Sequence, residues 1–256
     1  MALFKTSNPA LSDKTFQNLS GAQYGGIIDE STRMTLNGTV NKTGILLVCA
    51  IATAAWVWHS FLQSRDFADV APWMIAGAIG GFIVAMVTIF KKEWSPVTAP
   101  IYALLEGLVL GGLSAALDLR YPGIAMQAVG LTFGTLFVML LAYRSGLIPV
   151  TAKLRMGIVA ATGGIALLYL VEILLGFFGI HFVAINGSGF IGIAFSLFVV
   201  AIAALNLVLD FDFIERGVEC GAPKYMEWYG AFGIIVTLVW LYLEILRLLS
   251  KMRSRN

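Results

Sequence analysis

Residues 205–249 read LNLVLDFDFIERGVECGAPKYMEWYGAFGIIVTLVWLYLEILRLL, two apolar runs joined by an acid-rich turn. The first run ends in Asp210, Asp212, Glu215 and Glu219, and Gly221-Ala222-Pro223 then breaks the chain. The second run carries an acid of its own, Glu244, three residues before Arg247. Each run approaches the ~20 apolar residues that a helix needs to cross the hydrocarbon layer. A carboxylate inside such a run costs about 2.5–3.5 kcal/mol at the bilayer centre, so acids there mark an ion or proton route, or a gate.

The rest of the chain agrees with a membrane solvent. Of 256 residues, 59% are hydrophobic and 12% charged, with a mean hydropathy of +0.85. Soluble domains carry about 25% charged residues. Seven apolar stretches follow one another, at 44–64, 71–90, 97–117, 123–143, 156–178, 189–209 and 230–249. None alternates as a strand does, and lipid offers backbone groups no water, so the spacing predicts an all-α integral membrane protein with seven transmembrane helices. Glycines recur inside the spans, at Gly77, Gly80, Gly81, Gly107, Gly111 and Gly112, where they let helix backbones approach closely. A polar tail over 1–43, a seven-helix domain over 44–249 and a basic tail over 250–256 complete the division, with some helix expected near 31–41. No apolar core follows the first residues, so no cleaved signal peptide is expected.

Several function classes drop out. The net charge is +2 and the basic residues are dispersed, which argues against nucleic acid as a partner. Cys49 and Cys220 suggest neither a disulfide framework nor a metal spacing, and no resident cofactor is expected. Asn186-Gly187-Ser188-Gly189 has a serine in a Gly-rich turn, but a nucleophile needs a base beside it. The histidines are His59 and His181, and no third orienting group accompanies His181, so the chain is not read as an enzyme.

The positive-inside rule orients the chain. Lys5, Lys14, Arg33, Lys42, Lys91, Lys92, Arg144, Lys153, Arg155, Arg216 and Lys224 fall on one side, against Arg65 and Arg120 on the other. The amino end and the turn at 210–229 are therefore expected in the cytosol. One feature disagrees: Arg247, Lys251, Arg253 and Arg255 would lie outside after seven crossings.

Four acids fall inside or at the ends of spans: Glu106 in span three, Glu172 in span five, Asp210 ending span six and Glu244 in span seven. A carboxyl there pairs, faces water or stays protonated. For Glu244 a local pair with Arg247 is at hand. Asn206 lies one turn before Asp210 on the same helix face, within reach as a hydrogen-bonding neighbour. Asp212, Glu215 and Glu219 add the negative charge that attracts cations to a pore mouth. Asp210, Glu244, Asp212, Glu106 and Asn206 are the candidate gate and ion residues.

At this stretch a resemblance becomes visible. Trp240-Leu-Tyr-Leu-Glu-Ile-Leu-Arg-Leu-Leu249 resembles the closing helix of the transmembrane Bax inhibitor motif family, and Leu209-Asp210-Phe-Asp-Phe-Ile214 looks like its sixth-helix ending. Glu106-Gly-Leu-Val-Leu-Gly-Gly112 is similar to a third-helix motif of that family, with Gly112 in place of Pro. Ser7–Phe16 and Met34–Thr43 look like a mainly bacterial, longer-tailed branch. The resemblance implies six helices wrapped around a hydrophobic seventh, in a bacterial inner membrane. It also implies a pH-sensitive calcium leak, with calcium as the transported ion and two acids sharing a proton-sensitive latch. Asp210 matches the first acid and Glu244 is the nearest match to the second, one methylene longer than the family's Asp. Other bacterial relatives imply an alternative, a regulator that binds a membrane-embedded quality-control protease.

Overall fold

The computed structural model describes residues 32–179 and 182–255. The polar tail through residue 31 and His181 lie outside the described residues. All seven expected spans are helices: α1 Leu36–Ser64, α2 Phe67–Phe90, α3 Ser95–Arg120, α4 Ile124–Arg144, α5 Ala152–Gly176, α6 Phe190–Glu219 and α7 Met226–Arg255. Each is long and apolar enough to cross a membrane. A 3-10 turn, Lys92–Trp94, precedes α3, and a single helical turn, Val183–Asn186, precedes α6. α1 begins at Leu36, earlier than the apolar run itself, because Thr35 caps it by accepting from the Gly38 amide at 3.0 Å.

Burial orders the helices. In α7, 67% of the apolar window is buried, against 11% in α5, so α7 is the inner helix and α5 a lipid-facing one. α7 packs against α1, α3, α4 and α6, while α2 is held mainly by α3 and α5 by α6. The core runs along this inner helix through Tyr229, Phe232, Ile235, Leu241 and Leu246.

The glycines of spans two and three are packing devices. A Cβ on Gly77 would lie 2.6 Å from the Leu105 carbonyl oxygen, and one on Gly111 would lie 2.8 Å from the Ala54 Cα. Helices α1, α2 and α3 therefore touch backbone to backbone, the contact that association in lipid favours.

A cavity of about 130 Å³ lies between α1 and α4, floored by α3 and α7. It reaches the outer surface at Ile51 and Phe133 and ends inward at Ser114 and Tyr242, whose hydroxyls are hydrogen-bonded at 2.7 Å. Apart from that pair and Thr132 its walls are hydrocarbon and aromatic.

Candidate functional site

Polar side chains at helical spacing cross the seam between α5, α6 and α7. On α5 these are Arg155, Thr162 and Tyr169; on α7 they are Thr237, Glu244 and Lys251. A spacing of seven residues is two turns, or about 10.5 Å of rise, and returns each side chain to one face. α6 supplies Asp212, Asp210, Asn206 and Ser196 between them.

The contacts alternate between helices. At one end Arg155 donates to Asp212 at 2.5 Å, and Arg216 approaches the same carboxylate at 3.2 Å. Next, the Thr237 hydroxyl donates to Asp210 at 2.5 Å, joining α7 to α6. One turn along α6, the Asn206 amide donates to Thr162 on α5 and to the Ile202 carbonyl, both at 2.8 Å. Farther along, the Tyr169 hydroxyl and Arg247 each donate to Glu244 at 2.9 Å, and Arg247 stacks over the Tyr169 ring. At the far end the Lys251 ammonium meets Ser196 and two backbone carbonyls. Asp210, Glu244 and Asn206 are all buried, and each has a partner.

The ladder is interrupted once. Between Asn206 and Ser196 of α6, Val199 and Ile202 are buried with Ile165 of α5, and Tyr169 of α5, Phe195 of α6 and Trp240 of α7 pack against them. This apolar plug draws on all three helices of the seam.

The five residues singled out from the sequence fall out as follows. Asp210, Asn206, Asp212 and Glu244 share the seam. Asp210 and Glu244 nevertheless occupy different levels: Asp210 meets Thr237, two turns along α7 from Glu244. The local pair of Glu244 with Arg247 is present. Glu106 stands apart on α3, hydrogen-bonded to Tyr102, with Oε1 3.1 Å from where a Cβ on Gly81 would lie. Of the outlying acids, Glu215 accepts from Tyr143, Glu172 accepts from Asn186, and Glu219 is exposed. Among the described residues no three of His, Cys, Asp and Glu converge as metal ligands.

A further buried acid lies outside these candidates. Glu227, in the first turn of α7, is fully buried and accepts from the Thr35 amide and hydroxyl, both at 2.8 Å. It also pairs with Lys42 and, at 2.9 Å, with Lys224. Around it the chain entering α1 lies along the α6–α7 turn: the Met34 amide donates to the Ala222 carbonyl at 2.7 Å and the Lys224 amide to the Thr32 carbonyl at 2.8 Å. Gly221, with a left-handed φ of 66°, releases the chain from α6 into this turn. An acid on the first turn also meets the positive end of the helix dipole. A Glu beside an aromatic pair carries no periodic signal; Lys224, three residues earlier, was the available hint.

No curated protein and no solved structure matches the chain. A family model described as Bax inhibitor 1 like matches residues 8–254, nearly the whole length. With seven membrane-length helices and acids at the end of the sixth and within the seventh, the chain belongs to the Bax inhibitor 1 like family.

Proposed function

We propose that this protein is a cation leak of a bacterial inner membrane, passing calcium along the α5–α6–α7 seam and held closed in the arrangement described. The observation that carries the reading is the polar ladder broken by one apolar plug. Buried polar and ionisable groups inside membrane spans are costly, and a file of them across three helices is what an ion or proton path requires. A hydrophobic constriction closes such a path by excluding water. Asp212 and Glu215, at the Arg155 end, form the acidic entrance.

In this reading Asp210 is the proton-sensitive residue, with Thr237 as its hydroxyl donor, and Glu244 is the second acid of the seam, held by Tyr169 and Arg247. Proton uptake at Asp210 would remove charge from the α6–α7 contact and bias a two-state seam. The distribution of lysine and arginine supports a cytosolic amino end. The basic carboxyl end still counts on the other side, with Arg247 held by Glu244, Lys251 by backbone carbonyls, and Arg253 by the Pro122 carbonyl at 2.7 Å.

The test is calcium entry into liposomes holding the purified protein, from mildly acidic to mildly basic pH. Wild type should conduct with a pH dependence that Asp210→Asn alters. Flux no greater than that of empty liposomes, in folded protein, would end the leak reading and leave a partner-binding regulator.

A further inference from the structure

The far end of the ladder holds a cation in an unusual setting. Lys251 is 6% exposed, and its ammonium donates to the Ile185 carbonyl at 2.7 Å, the Ser196 hydroxyl at 2.9 Å and the Gly192 carbonyl at 3.2 Å. A lysine has three N–H donors, and here each has an oxygen. All three oxygens are neutral. Two are backbone carbonyls from the short helical turn before α6 and from the first turn of α6, and the third lies one turn further along α6. A ring of carbonyl and hydroxyl oxygens replacing a hydration shell is the chemistry of a monovalent-cation site. The cradle also terminates the seam, since Thr237, Glu244 and Lys251 lie on one face of α7.

We propose that this cradle is a monovalent-cation site filled by the chain's own ammonium, so that Lys251 is a tethered stopper at the far end of the seam. The ligand class is a small cation that can donate to, or be coordinated by, three neutral oxygens: ammonium, a primary alkylammonium or potassium. The stopper role rests on the leak reading; the cradle itself does not.

The deciding experiment is chemical rescue. Lys251→Ala removes the three outer methylenes and the nitrogen, a volume that n-propylammonium can refill. The full-length variant and wild type, purified in detergent, are melted while tryptophan fluorescence is followed, with ammonium, n-propylammonium, potassium or tetramethylammonium chloride added. The expected result is a Tm several degrees below wild type that small primary ammonium ions restore in a saturable way. Tetramethylammonium, which has the charge but no N–H, should not restore it, and wild type should respond to none of them. Lys251→Met, which fills the space without a charge, should be destabilised and beyond rescue. If Lys251→Ala does not purify folded, recovery of folded protein only with n-propylammonium present supports the cradle equally. Lys251→Met as stable as wild type, or Lys251→Ala indifferent to every cation, overturns it. Calcium flux into liposomes holding each protein then separates the two claims. Several-fold faster flux in Lys251→Ala, slowed again by n-propylammonium, supports the stopper. Rescue of Tm with flux equal to wild type overturns the stopper and keeps the cradle. Rescue of Tm with no flux in either protein overturns the leak reading instead.

Discussion

The two ends of α7 each bury a charge, and they do so by opposite means. At the start, Glu227 is neutralised by two lysines and takes two hydrogen bonds from Thr35. At the finish, Lys251 is held by neutral oxygens. Both charges suit the helix dipole, an acid at the amino end and a base at the carboxyl end. They differ in what removal leaves behind. Without Glu227, Lys42 and Thr35 face each other with no acceptor; without Lys251, three dipoles lose a donor but no ion is stranded. The first end is a fastener that joins the chain entering α1 to the α6–α7 turn, and the second is a socket.

This contrast sets an order of effects. Glu227→Ala should cost the most, about 3–5 kcal/mol, the loss expected when one partner of a buried charge network is deleted; reversible unfolding in mixed micelles measures it. A loss no greater than that of Lys251→Met would erase the distinction between the ends. Lys251→Met should cost about 1–3 kcal/mol in the same assay, the penalty of leaving buried acceptors without donors. Gly38→Ala belongs near that range, because an added Cβ would run into the Glu227 carboxylate, and overpacking costs about 1–3 kcal/mol. Its cost should shrink in a Glu227→Ala background, a coupling that a double-mutant cycle reads directly. The smallest effect should come from Lys224→Ala, at or below about 1 kcal/mol, since that side chain is 47% exposed and Lys42 still faces the acid.

What was readable in the sequence divides along the same seam. Seven spans were legible because lipid requires long apolar helices, and each stretch proved to be one. Asp210 and Glu244 were legible because acids in such runs are conspicuous. Their partners were not: Thr162, Tyr169 and Thr237 are ordinary residues in apolar helices until a neighbour faces them. Their two-turn spacing, shared by 155, 162, 169 and by 237, 244, 251, was present in the sequence and points to a polar stripe. It says nothing of which helix the stripe meets. The arrangement of six helices around a seventh, implied by resemblance, takes a different emphasis here: α7 is innermost, but its main neighbours are α1, α3, α4 and α6. Glu227 went unnoticed because its role depends on Thr35 and Lys42, far away in the chain.

The cavity between α1 and α4 has a consequence for how the innermost helix can be addressed. Apart from Thr132 and the Ser114–Tyr242 pair its walls are apolar, and such walls suit a small apolar guest better than water. Because it opens toward the lipid and ends at the Ser114–Tyr242 pair, a molecule dissolved in the bilayer reaches α7 sideways, without passing through either aqueous mouth. The central helix is thus open to apolar solutes from the side as well as from its ends.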